Sequence, residues 1–154
     1  ARQTIDFRER TLSTTVNQLL GDNWSLGASY RLTDADLRSK FPDFASIPRL
    51  SDFASQRESA LLNQVTLFAN YYSRCGLFAQ GWSVWSQQHN DGALPDSNFW
   101  QHNVAVGYRL PKRHAELRVS LLNIFDQDYR LNPLTLYREL PRERTLALSL
   151  KFYF

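Results

Sequence analysis

From Arg144 to Phe154 the chain alternates without a break, and this stretch limits what it can fold into more than any other. Leu146, Leu148, Leu150, Phe152 and Phe154 fall on one face, and Thr145, Ala147, Ser149, Lys151 and Tyr153 on the other, which is the period of a strand with one apolar side. Five large apolar side chains on a wet strand face invite edge-to-edge aggregation. The face therefore belongs against a second sheet, as in a soluble sandwich, or against lipid.

The chain has 154 residues, one domain by length, and is 43% apolar and 14% aromatic. Its uninterrupted apolar runs are a few residues long, far short of the roughly 18–20 that a membrane helix needs. A closed barrel is the other structure that satisfies its backbone inside lipid. The net charge of +3 is spread along the chain, with no lysine-rich tract or aromatic-basic platform, so no nucleic-acid partner is expected. Cys75 is alone and reads as a small turn residue. The chain opens on Ala1 and contains no Met, so it reads as a mature product or as the C-terminal piece of something longer that carries an export signal.

Strands and connections can be followed in order. Residues 11–20 put Leu12, Thr14, Val16 and Leu20 on one side, and Gly21-Asp22-Asn23 turns the chain. Trp24, Leu26, Ala28, Tyr30 and Leu32 then alternate with Ser25, Gly27, Ser29, Arg31 and Thr33. Residues 34–57, polar and holding Pro42 and Pro48, read as a long loop. Leu61, Val65, Leu67, Ala69 and Tyr71 oppose Gln64, Thr66 and Asn70 in a third strand, and Ser73-Arg74-Cys75-Gly76 is a turn. Residues 77–88 are ambiguous: either Leu77, Ala79, Gly81 and Trp85 share the apolar face, or Phe78, Trp82 and Val84 do. After a loop over 89–97, Trp100, Val104, Val106, Tyr108 and Leu110 alternate with Gln101, Asn103, Ala105, Gly107 and Arg109. A two-residue turn at Lys112-Arg113 then sets Tyr108 opposite Leu117, Val106 opposite Val119 and Val104 opposite Leu121.

Short and long connections alternate, as in barrels with short periplasmic turns and long extracellular loops. The expected fold is all-β: a transmembrane antiparallel up-and-down barrel of seven to eight strands, occupying residues 1–154 as the C-terminal part of a larger barrel. Trp24, Tyr30, Trp100 and Tyr108 are candidates for the two membrane interfaces, where amphipathic rings settle. Arg31, Gln64, Asn70, Gln101, Asn103, Arg109, Glu116, Arg118, Ser149 and Lys151 would face a wet, mildly anion-favouring lumen.

The terminal strand resembles that of Gram-negative outer-membrane barrels, whose C-terminal Phe and alternating hydrophobics are recognised by the insertion machinery. Leu121-Leu122-Asn123-Ile124-Phe125-Asp126-Gln127-Asp128-Tyr129, followed by a loop and Arg144-Thr145, resembles the penultimate-strand motif of TonB-dependent receptors. The resemblance covers about the last 50 residues well and the rest loosely; barrels that terminate long periplasmic-repeat exporters are also similar. It implies an outer-membrane wall that passes a small solute or polymer. The partners it implies are outer-membrane lipid, the assembly machinery, the remainder of a larger barrel and a TonB-type energy-coupling protein. The plug and energy-coupling segment of that family lie outside these residues.

No cofactor is expected. His89 and His114 have no partner at ligand spacing, so no metal is expected either. His102 has apolar-face parity and is expected opposite Asn123, with Ser83 and Ser86 on the next strand as conceivable nucleophiles for a lipid-modifying enzyme. No catalytic residue is assigned on that basis. If residues 4–7 formed a short first strand, a small eight-stranded adhesion or structural barrel would close. The charges of Arg2, Asp6, Arg8, Glu9 and Arg10 favour a loop there and a larger barrel.

Overall fold

In the computed structural model, residues 3–42, 55–91, 96–110, 114–128 and 143–153 are described. They form one antiparallel sheet of seven strands in sequential order: β1 (Thr4–Leu20), β2 (Trp24–Lys40), β3 (Ser55–Tyr72), β4 (Leu77–Asp91), β5 (Ser97–Arg109), β6 (Ala115–Leu122) and β7 (Thr145–Phe152). The all-β, up-and-down reading holds at that level. The sheet is open: β1 and β7 are its two edges, and no ladder joins them among the described residues.

Three expectations need correction. Residues 4–10 are neither a loop nor a separate eighth strand but the first half of a continuous 17-residue β1, paired from Thr4↔Lys40 to Leu20↔Trp24. The loop expected over 34–57 is much shorter, because β2 runs on to Lys40 and β3 begins at Ser55. Similarly, β4 extends through His89 to Asp91. The remainder of these connections, the Lys112-Arg113 turn, Tyr129 and Phe154 lie outside the described residues.

Pairing settles the face of β4. Val65↔Trp85, Leu67↔Ser83 and Ala69↔Gly81 on one side, and Leu77↔Tyr108 and Gly81↔Val104 on the other, place Leu77, Ala79, Gly81 and Trp85 on the apolar face. Phe78, Trp82 and Val84 lie on the opposite, mixed face. Between β5 and β6 the register is the expected one, with Val104↔Leu121, Val106↔Val119 and Tyr108↔Leu117.

The two faces are packed differently. Leu26, Leu67, Leu77, Val106, Leu117, Leu148 and Leu150 on the apolar face are 40–73% exposed. Every buried side chain except Ala115 and Asn123 belongs to the mixed face, among them Phe78, Phe99, Ala105, Ser86, Asn103 and Glu116. With a single sheet and no second layer among the described residues, such crowding on one side is what curling toward that side produces. Two close approaches tighten it: Phe68 lies over its cross-strand partner Gly27, and Phe78 over Gly107, where an added Cβ would run into the rings.

The apolar zone slants across the ladder. On β1 it runs from Leu12 to Leu20, and on β7 from Leu146 to Phe152. Following the pairs Leu146↔Leu121↔Val104↔Gly81↔Ala69↔Leu26↔Gln18 shows that the upper limit drops from the Leu12↔Leu32 row on β1 and β2 to the row of Gln18 on β6 and β7, an average of one residue per strand, with Leu61 of β3 standing above it in the row of Arg10. With strands about 4.8 Å apart and about 3.4 Å per residue, a one-residue offset corresponds to strands tilted about 35° from the normal of a flat layer.

Candidate functional site

The polar residues expected to line a lumen all occur on the mixed face, in three groups. Toward the β5–β6 turn, Arg109 donates to Glu116 through Nε (3.0 Å) and an η nitrogen (2.7 Å), and its guanidinium lies 5.8 Å over the ring of Phe78. Arg109 and Glu116 are direct cross-strand partners, and the next residue in the row is Lys151. The fork is part-buried, with Glu116 only 6% exposed. Both nitrogens converge on one oxygen, Glu116 Oε2, so the pair is a charge-assisted contact to a single carboxylate oxygen. Arg118, one row up, stacks 5.8 Å over Trp82 and donates to Ser120 Oγ (3.1 Å), and Ser149 is its partner on β7.

At mid-sheet, Gln101 donates to Asn103 Oδ1 (3.1 Å), and the same oxygen accepts from the Asn123 amide (2.9 Å). Gln64 donates to Ser86 Oγ (3.2 Å), which puts Ser86 on the mixed face, remote from His102. Arg31, Asn70 and Lys151 share this face and make no hydrogen bond or ion pair among the described residues. They are the polar groups there most available to a solute.

His102 is on the apolar face, but its expected neighbour is not. β6 stops at Leu122, Asn123 takes a left-handed φ of 51°, and its side chain turns inside, 2% exposed. There Nδ2 donates to Gln127 O (2.9 Å), while Oδ1 accepts from the Gln127 amide (3.0 Å). His102 Nδ1 instead hydrogen-bonds Ser83 Oγ at 2.8 Å, between the parallel ring of Trp100 (5.9 Å) and the edge of Phe125 (5.2 Å). The backbone amides beside Ser83 serve the sheet ladder, and no third group orients the imidazole among the described residues. The contact satisfies two polar groups on an apolar surface.

The Asn-Ile-Phe-Asp run is a structural clasp. Asp126 has φ 54°, its amide reaches Asn123 O (2.9 Å), and its carboxylate accepts from the Arg144 amide (2.7 Å), so the end of β6 holds the start of β7. Asn and Asp tolerate this backbone better than other side chains that bear a Cβ.

Aromatics mark both limits of the apolar zone. Toward the short turns, Trp24 packs on Tyr71 (5.0 Å), with Tyr108 half-exposed nearby in the sheet. Toward the long connections, the Tyr30 hydroxyl donates to Asn63 (2.8 Å), Trp85 Nε1 donates to Asn98 (2.8 Å), and Trp100 pairs with Trp85. Beyond that limit the apolar face becomes charged: Arg10↔Asp34, Arg8↔Asp36 and Asp6↔Arg38↔Arg57 follow Leu12↔Leu32 on the same side. Sequence reasoning missed this region because it had been assigned to loops. It also missed the aromatic rings that cover Gly27 and Gly107.

No family model matches the chain, and neither a curated protein nor a solved structure matches it significantly.

Proposed function

We propose that this sheet is a wall of an outer-membrane transport barrel, TonB-dependent-receptor-like or porin-like, whose mixed face lines the path of a small solute or polymer. The observation that carries the reading is the oblique apolar zone. Along β1 it spans the eight steps from Leu12 to Leu20, about 27 Å at 3.4 Å each, which a 35° tilt reduces to about 22 Å of height. Lipid-facing bands of such barrels are about 25 Å tall on strands tilted about 35–45°. Aromatics at both limits, exposed aliphatics between them and polar groups on the reverse face support the same assignment.

Parity calls for strands beyond these seven. β1 and β7 run in the same direction, so antiparallel closure requires an odd number of further strands, giving an even total. Residues 4–7, which a small eight-stranded barrel needed as its own strand, are part of β1.

The test is charge reversal on the mixed face of the complete protein in planar bilayers. Arg31→Glu, Arg118→Glu and Lys151→Glu should shift ion selectivity toward cations or weaken an anionic solute while leaving assembly intact. Arg109 is unsuited to this test, because its loss strands the part-buried Glu116. Unchanged selectivity and solute affinity in all three variants would overturn the transport reading.

A further inference from the structure

We infer that the charged region beyond the apolar zone of β1–β3 is a seat for the phosphates of lipid headgroups at the long-connection end of the sheet; this rests on the membrane reading above. The region is a continuation of the apolar face, and neither the mixed face nor a loop contributes to it. Arg10 and Asp34 lie two residues beyond Leu12↔Leu32, and Arg8 and Asp36 four. With the tilt derived above, these rows stand about 6 and 11 Å past the end of the apolar zone, and the polar layer of a leaflet is about 5–8 Å thick. The first row therefore falls within the headgroups and the second just beyond them, where the long arginine side chain of Arg8 reaches back to the phosphates.

Arg8, Arg10, Arg38 and Arg57 share one concavity with Asp6, Asp34, Asp36 and Asp91, so its formal charges balance and what distinguishes its two sides is which arginines are already paired. Asp36 accepts from Arg57 Nε (2.8 Å) and Arg38 Nε (3.0 Å), and these guanidiniums hold its carboxyl below the ordinary aspartate range. That pairing occupies Arg38 and Arg57 and braces the β2–β3 side of the concavity, which is about 480 Å³. On the β1 side, Arg8 and Arg10 make no ion pair or hydrogen bond among the described residues, although Asp36 and Asp34 are their cross-strand partners. Their side chains leave the same face two residues apart, about 7 Å along the strand. Two unspent guanidiniums at that spacing suit phosphate oxygens.

The experiment compares spin-labelled phosphatidic acid with spin-labelled phosphatidylcholine around the complete protein in phosphatidylcholine vesicles. Its readout is the fraction of each lipid that is motionally restricted. Wild type should prefer phosphatidic acid. Arg8→Gln and Arg10→Gln should each lower that preference about fivefold, the worth of one basic side chain at an anionic surface, with unchanged restriction of phosphatidylcholine. Equal preference in wild type and the double variant would overturn the seat and leave the membrane reading standing. No restricted population of either lipid would overturn both.

Discussion

Asn123→Ala should loosen the β6–β7 hairpin by about 2–5 kcal/mol. The side chain is 2% exposed and brackets the Gln127 backbone, donating to its carbonyl at 2.9 Å and accepting from its amide at 3.0 Å. Two such bonds contribute about 0.5–1.5 kcal/mol each. At φ 51° an alanine adds about 1–2 kcal/mol that asparagine largely escapes. Asn123→Gly separates the contributions: it loses the same bonds but has no backbone strain, so it should cost about 1–3 kcal/mol, less than alanine. Denaturant unfolding of the protein in lipid gives the totals. Hydrogen exchange at the Gln127 and Arg144 amides gives the local opening, since Arg144 is held through Asp126 in the same clasp. Wild-type exchange at both amides, or glycine more damaging than alanine, would refute the argument.

Gly107→Ala should destabilise by about 1–3 kcal/mol because the new methyl meets the Phe78 ring, whereas Gly81→Ala, with open space at its Cβ, should stay within about 0.5 kcal/mol; thermal melts of the two side by side check this. Leu148→Arg puts a cation in mid-face on β7 and should reduce folded yield in lipid, at about 2–4 kcal/mol, while Ser149→Arg on the other face should not; equal yields would count against a lipid-facing surface. The β4–β5 hairpin should be pH-dependent through His89. Asp96, 2.7 Å away, raises the histidine above its ordinary pKa and is itself held low by the Asn90 amide and by His89. A raised folded-state pKa means that the contact contributes fully below the ordinary histidine pKa and is lost as pH rises through the raised value. Protection of the Asn90 amide should therefore fall over that window, and protection that is flat with pH would refute the coupling.

The segments that could be read from sequence are those where alternation keeps one phase. Trp24–Leu32, Trp100–Leu110 and Leu146–Phe152 hold their large apolar residues on a single face, and Leu61–Tyr71 does so apart from Leu62 and Phe68; the structure puts them there. Residues 4–10 and 34–40 are strands of the same length class, but their phase inverts. Phe7, Ile5 and Leu37 lie on the mixed face, and the charges take the apolar one, so a search for one continuous stripe stops at Leu12 and Leu32. β4 defeats the period differently, because both of its faces carry large apolar groups and the facing is decided by Leu67↔Ser83 and Leu77↔Tyr108. The His102–Asn123 expectation extended a strand parity one residue past Leu122, where a left-handed residue had already ended the strand. Ser83–His102 and Asp36–Arg57 were out of reach for a simpler reason: each joins two strands whose register only the ladder reveals.

Most of the information about orientation therefore lies across strands. Each strand alone offers an apolar stripe of unspecified height, which a covering sheet or a lipid layer would satisfy equally. Taken together, the stripes begin lower in steps that average one residue per strand, from Leu12 and Leu32 on β1 and β2, through the Trp85–Trp100 row on β4 and β5, to Leu121 and Leu146 on β6 and β7, with Leu61 of β3 standing above the trend. A water-soluble partner layer would have to copy that oblique outline over the width of seven strands and also cover Trp24 and Trp100 at its rims. A flat hydrocarbon slab produces the outline without copying anything, because the offset per strand and the strand tilt are one quantity. On the proposed membrane reading, the charges at Arg10 and Asp34 follow from the same geometry: β1 and β2 would be long enough to leave the slab, and their apolar face would then meet a polar layer.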